Sequence, residues 1–368
     1  MRLPSFNDLI DEQSDILDCP PDNSILVIGP PGSGKTSIAI WRARLLTGPT
    51  LKRSVSIVTR NRLLASTAEK LCQENGGTRI TSSTMSTFIS QDYANRFRQL
   101  IPQWQPFYYI WDKIFSDYAN AQVQPDLDHL IIDEGQNLPI EFIIWATRFK
   151  ARAVSVFADE NQSTSNGGCR VADLRNAGFT EIYPLVINHR NTQEIADVVS
   201  HFHIDRTLPQ ATPKRGRSFE IPYLMSAPDW ETLADAITAR LANRAEAIGV
   251  IVYYKQDVET LAGLLRSRLG ATRVDSYTSD ANAGAESVIQ MRNFGVTILS
   301  GESAIGLEFD TLYLQDLYRS LPTATALDAR RLYMLMARAR DTLILVNGPN
   351  MLSPKQLTSL PPEHILDR

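Results

Sequence analysis

The sequence predicts an α/β protein of two tandem domains, each a parallel sheet covered by helices on both faces. Three observations lead there. Short β-branched runs alternate with amphipathic stretches from end to end of the chain. The runs are continuously apolar, as strands buried on both faces require, and not alternately polar. The 368 residues are enough for two cores of ordinary size.

The strands expected on this basis are Ser24–Ile28, Val55–Val58, Leu130–Ile132, Ala153–Phe157, Gly249–Tyr253, Gly295–Leu299, Thr311–Leu314 and Leu343–Val346. Helices are expected at Lys35–Leu46, Arg62–Glu74, Pro139–Phe149, Thr192–His201, Asp229–Asn243, Asp257–Leu269 and Ala326–Ala339. The motifs described below divide near Tyr183–Pro184, so the domains are placed at 1–183 and 184–368. The aromatic stretch Trp104–Tyr118 reads first as a buried helix under the first sheet and second as an exposed stacking platform.

Composition narrows the class without naming a function. Hydrophobic residues make up 43% and charged residues 21%, the balance of a globular chain. No apolar run approaches the roughly 18–20 residues needed to cross a bilayer, so no membrane partner is expected. The N-terminus turns acidic where a secretory leader would be greasy. Cys19, Cys72 and Cys169 lie far apart without a CxxC pair, which argues against zinc or disulfides and fits a reducing, cytoplasmic setting. The net charge of −4 leaves nucleic-acid binding to local basic patches.

Residues 24–40 read SILVIGPPGSGKTSIAI: a strand, then GxxxxGK[ST], then a helix. In such a loop, here Gly29, Pro30, Pro31, Gly32, Ser33 and Gly34, backbone N–H groups wrap phosphate oxygens at a helix N-terminus. Lys35 is placed to reach the β- and γ-phosphates of ATP, and Thr36 to hold Mg²⁺. About a hundred residues on, the apolar strand in DHLIIDEGQNLP (128–139) ends at Asp133 and Glu134. Carboxylates at the C-terminal tip of a parallel strand face the ligand crevice. Asp133 is therefore the second Mg²⁺ ligand expected, and Glu134 the group that polarises the attacking water.

The order of motifs along the chain resembles the UvrD/Rep-type superfamily 1 helicases. Gln13 in DEQSDIL resembles the adenine-reading glutamine upstream of the phosphate loop. VSIVTRNRLLASTAEKL (55–71) and TMSTF (84–88) are similar to the strand-contacting motifs of the first lobe, where Arg60 and Arg62 are the expected phosphate contacts. DEGQ (133–136) resembles the DExQ box, and VFADENQS (156–163) the GDxxQ box, which implies a γ-phosphate sensor at Gln162. LVINHRNTQEIADVV (185–199) resembles NYRS, implying Arg190 at the phosphates and His189 against adenine. SAIGLEFDTLYL (303–314) resembles KGLEFD, implying Glu308 near the ribose. RRLYMLMARARDTLILV (330–346) resembles YVALTRAR, implying Arg338 as an arginine finger.

The resemblance implies two tandem RecA-like P-loop domains that hydrolyse ATP with Mg²⁺ in the cleft between them and move on single-stranded nucleic acid, DNA before RNA. The chain is lean beside that family, which implies that the large accessory insertions are missing. It also departs at His189 (for Tyr), Thr59 (for a base-stacking Phe), Ala158, Ile305 and Ala337. These changes fall more on the strand-gripping side than on the ATP side, and each lost platform costs roughly 1–3 kcal/mol per base. An alternative reading follows: an ATP-driven switch subunit of a nuclease, repair or defence complex, with little unwinding of its own.

Overall fold

The computed structural model of the chain describes residues 3–74, 80–159, 168–204, 212–216, 220–278, 280, 285–289, 294–315 and 317–368. The first unit contains strands β1 (Ile25–Ile28), β2 (Val55–Thr59), β3 (Ile80–Thr84), β4 (Gln103–Gln105), β5 (Tyr108–Tyr109), β6 (Leu127–Ile132), β7 (Ala151–Ala158) and β8 (Glu181–Pro184). Its helices are α1 (Asp11–Asp18), α2 (Lys35–Thr47), α3 (Arg62–Glu74), α4 (Met85–Phe97), α5 (Trp111–Asn120), α6 (Ile140–Trp145) and α7 (Val171–Asn176). Six strands form one wholly parallel sheet in the order β3-β2-β6-β7-β1-β8.

The second half holds a short ladder of β9 (Ile187–Asn188) with β10 (Thr212–Pro213), then β11 (Tyr223–Ser226), β12 (Ala247–Val252), β13 (Val274–Tyr277), β14 (Gly295–Ser300), β15 (Phe309–Leu314) and β16 (Ala339–Asn347). Helices α8 (Gln193–Ser200), α9 (Trp230–Asn243), α10 (Lys255–Leu269), α11 (Ala326–Met336) and α12 (Pro354–Thr358) accompany them. The second sheet is also parallel throughout, in the order β11-β16-β15-β12-β14-β13.

The period of two along each strand explains the layers. In β1, Ile25 and Val27 face a core shared with α1, α2 and α3, while Leu26 and Ile28 face the core under α4, α5 and α6. In β12, Ile248, Val250 and Val252 pack against α9 and α10, and Ile251 points to the core with α8 and α11. Both sheets are thus covered on both faces, giving two RecA-like α/β units in tandem. Among the described residues, no helix is long and apolar enough to cross a membrane.

Three expectations need correction. The helix expected over Pro139–Phe149 stays α-helical only to Trp145 and widens into a π turn over Ala146–Lys150. The one expected to run to Ala339 ends at Met336, because Ala339 already belongs to β16. The aromatic stretch is not one buried helix. Trp111–Asn120 is helical and buries Ile114 and Tyr118, but residues 103–109 form an antiparallel hairpin that leaves Trp104 81% and Phe107 71% exposed. Pro102 and Pro106 cannot donate to a helix, and Phe107 turns the chain at φ 72°.

Candidate functional site

The site starts where β1 ends. Residues 29–34 loop over the C-terminal edge of the first sheet, and α2 begins at Lys35. Gly32 and Gly34 adopt φ of 78° and 91°, which an L side chain resists. Space forbids one as well: a Cβ on Gly32 would sit 2.2 Å from Asn188 Oδ1, and on Gly34 2.7 Å from Gln13 Nε2. Gln13 is buried and donates to the Ser33 carbonyl at 3.1 Å, so it touches the loop from behind. Lys35, 6% exposed, folds across the loop and donates to the carbonyls of Gly29 (2.7 Å) and Pro30 (2.9 Å).

Acidic groups gather at the neighbouring strand tips. Asp133 and Glu134 follow β6 and Asp159 follows β7, and all three are buried. Thr36 donates its hydroxyl to Asp133 Oδ2 at 2.7 Å. Glu134 takes the left-handed conformation at φ 58°, a strained choice for a residue with a Cβ, and it accepts from Gln136 Nε2 at 2.6 Å. The Gln136 carbonyl in turn accepts from the Asp159 backbone N–H at 3.0 Å, which ties the two tips together. Burial, and then the Glu134 charge, pushes the Asp133 carboxyl up to about 7. Burial pushes the Lys35 ammonium down, against the opposing pull of Asp159, Glu134 and Asp133.

These donors fit a hydrated Mg²⁺. A hydroxyl and a carboxylate already in contact supply two hard oxygen ligands, and Mg²⁺ takes the rest from phosphates and water. Among the described residues no cluster of three or more His, Cys, Asp or Glu side chains could hold a metal by themselves.

The second half reaches the same loop. The His189 backbone N–H donates to the Gly32 carbonyl at 2.8 Å, and a Cβ on Gly32 would lie 2.8 Å from Arg190 Cβ. Among the described residues His189 Nε2 is buried with no hydrogen-bond partner. Arg190 donates to Glu308 Oε2 at 3.0 Å and to the Ala337 carbonyl at 3.3 Å. Burial works against the Glu308 charge, but Arg190 holds its carboxyl below the usual range. Arg338 is 2% exposed, fixed through Nε to the Met334 carbonyl at 3.0 Å. Burial first, and then Arg190, pushes its guanidinium down to about 10, while Glu134, Asp159 and Glu308 pull the other way. Lys35 and Arg338 feel each other's charge.

The structure therefore brings together Gln13, the loop 29–34, Lys35, Thr36, Asp133, Glu134, His189, Arg190, Glu308 and Arg338. Arg60 and Arg62 stand apart from this group. Arg60 donates to the Asn137 carbonyl at 3.2 Å, and Arg62 pairs across the lobes with Glu286 at 3.8 Å. Gln162 lies outside the described residues. Sequence reading gave no role to Asp159, Gln136, Asn188 or Tyr333. All four lie inside quoted motifs, but the place of Tyr333 beside the acidic strand tips shows only in three dimensions, where burial and then Asp159 drive its hydroxyl upward.

No protein-family model and no curated protein sequence matches the chain. Among solved structures it is similar to the arterivirus nonstructural protein 10 helicase, at 15% identity and TM-score 0.44 over 95% of this chain and 63% of that one. It is also similar to the PRRSV helicase, at 16% identity and TM-score 0.45 over 95% and 55%. The C-terminal domain of a possible DNA helicase from Lactobacillus plantarum aligns at 21% identity and TM-score 0.35, over 48% of this chain and 96% of that domain. The chain spans less than two thirds of the length of the viral helicases. All three TM-scores lie below 0.5, so the fold and the site rest on this chain's own sheets and side chains.

Proposed function

We propose that the chain is an ATP-dependent nucleic-acid translocase or helicase of the superfamily 1, UvrD-like type, hydrolysing ATP between its two lobes in a reducing cytoplasm. One observation carries this reading: the buried Lys35 and Glu134 of the first lobe and the buried Arg338 of the second act on one another's charge, with Arg190 beside Arg338. Phosphoryl transfer needs positive charge around the transferring group, and one arginine there is worth about 10³–10⁵ in rate. In this reading Lys35 leaves the Gly29 and Pro30 carbonyls for the β- and γ-phosphates. Thr36 and Asp133 hold Mg²⁺, which neutralises phosphate charge. Glu134, steadied by Gln136, orients the attacking water. Gln13 and His189 flank the base, and Glu308 keeps Arg190 aimed at the cleft. Because the charges come from two lobes, hydrolysis and product release couple to lobe movement, which supplies a stroke along single-stranded DNA or RNA.

The test is steady-state ATP turnover by the whole chain alone and with single-stranded DNA, duplex DNA or RNA. Stimulation by a single strand, falling with salt, is the expected result. Turnover indifferent to all three nucleic acids would remove the translocase and leave an ATPase.

A further inference from the structure

The second sheet also has a C-terminal rim, and aromatic side chains occupy it. Tyr253 and Tyr254 follow β12, Gly301 follows β14, and Tyr318 and Arg319 lie in the turn after β15. These three strands are neighbours in the sheet, so their tips share one surface. The Arg319 guanidinium carbon lies 4.8 Å from the ring centres of both Tyr253 and Tyr254 and 5.8 Å from that of Tyr318. Its N–H groups donate to the hydroxyls of Tyr318 (3.2 Å), Tyr253 (3.4 Å) and, at shorter range, Tyr254. Arg331 from α11 approaches the Tyr253 ring from 5.5 Å.

Two features separate this cluster from packing. Arg319 is exposed and the three tyrosines are only half-buried. Other arginines of the same lobe are matched by carboxylates: Arg240 by Glu220 and Glu246, Arg268 by Glu231 and Asp235, Arg340 by Asp310. Among the described residues no carboxylate pairs with Arg319. A guanidinium stacked on aromatic rings is weakly hydrated and keeps its full charge, so it is set for an anion that also brings a flat face. Single-stranded nucleic acid has both: phosphates for the cation and bases for the rings.

We propose that Tyr253, Tyr254, Tyr318 and Arg319 form a platform on the second lobe that stacks bases and grips a phosphate of single-stranded nucleic acid. The inference rests on the nucleic-acid reading above and locates a grip on the second lobe, where the first lobe has Thr59 for a stacking Phe and the aromatic-free STSNGG directly after Gln162.

The test measures anisotropy of a labelled oligothymidylate and of an abasic oligonucleotide of equal length, which keeps the phosphates and lacks the faces. The wild-type chain is expected to prefer the thymidylate by about tenfold, and the double variant Tyr253→Ala/Tyr254→Ala to lose that preference. The Tyr→Phe pair keeps the faces and is expected to retain it. Arg319→Ala should weaken both oligonucleotides alike and reduce the salt slope by about 0.7. ATP turnover without nucleic acid, unchanged in all of these, checks that each variant is folded. Alanine variants that bind thymidylate as tightly as wild type overturn the platform and leave the translocase reading standing on another surface. A wild-type chain that binds neither oligonucleotide removes that reading, and this inference with it.

Discussion

The two sheets have the same number of strands and the same parallel sense, yet their C-terminal rims differ in chemistry. The first rim carries glycines in left-handed conformations, a buried lysine and three buried carboxylates. The second carries tyrosines around an exposed arginine, while the two arginines that reach the first rim come from elsewhere in that half, Arg338 from just before β16 and Arg190 from just after β9. One scaffold thus hosts two kinds of site, because loops at strand tips can change without disturbing the layers beneath. Under the proposals above, the first rim takes a compact polyanion with a metal, and the second an extended strand with bases.

The sharpest way to break that division is to remove charge from the first rim. Lys35→Ala is expected to lower ATP turnover by roughly 10³-fold or more, and Glu134→Gln by roughly 10²–10⁴-fold. Arg338→Ala tests the contribution of the second lobe. Its loss should appear in kcat, by roughly 10³-fold, with KM changed far less, because the interaction strengthens in the transition state. Turnover that survives Arg338→Ala within a few-fold would show that the first rim works alone.

The same comparison explains what the residues revealed in advance. All eight expected strands are present within a few residues, and they fill the middle of the two sheets. Sequence reading missed the two-residue and three-residue strands β4, β5, β9 and β10; within the two six-stranded sheets it missed β3, β8, β11 and β13, which are their four edges. Their sequences, ITSST, EIYP, YLMS and VDSY, are part polar because one side of an edge strand meets solvent or a helix end. Buried central strands announce themselves by apolar runs, and edges do not. The cluster proposed to take ATP was foreshadowed in the sequence for a related reason. The glycine loop, Asp133–Glu134 and Arg338 sit in short fixed patterns, and the fold brings them together. The tyrosine platform spans residues 253–319 in no local pattern, so only the strand order discloses it.

A smaller effect sharpens the comparison within one strand. β6 carries Asp133 beyond its C-terminal tip and His129 nearer its start. If rim position decides function, His129 should govern stability alone. Its ring accepts from the Ser155 hydroxyl at 2.8 Å and donates to the Pro21 carbonyl at 2.9 Å. Burial first, and then Arg42, pushes the imidazole down to about 3 from its ordinary 6.5. Below about pH 6.5 the unfolded chain takes up a proton that the folded chain refuses, so stability falls toward pH 3 by about 1.4 kcal/mol per pH unit. His129→Gln removes that contribution, and urea unfolding at pH 7, 6 and 5 should give a correspondingly shallower loss than wild type. An acid limb of unchanged slope would mean that the ring titrates normally in the fold.

The smallest expected effect separates the two exposed aromatic groups. The hairpin of β4 and β5 presents Trp104 at 81% and Phe107 at 71% exposure, whereas the rim tyrosines are anchored against one another and Arg319. Side chains with that much surface in water contribute little to the fold, so Trp104→Ser and Phe107→Ser should each change unfolding free energy by less than about 0.5 kcal/mol. Turnover without nucleic acid should stay at the wild-type level, because the hairpin supplies none of the groups around Lys35. A thermal midpoint lowered by several degrees would give the hairpin a structural task. The two aromatic groups would then no longer differ in kind, and exposure alone would not mark the rim tyrosines as a binding surface. The preference for thymidylate over the abasic strand, which only ring faces can produce, would have to make that distinction.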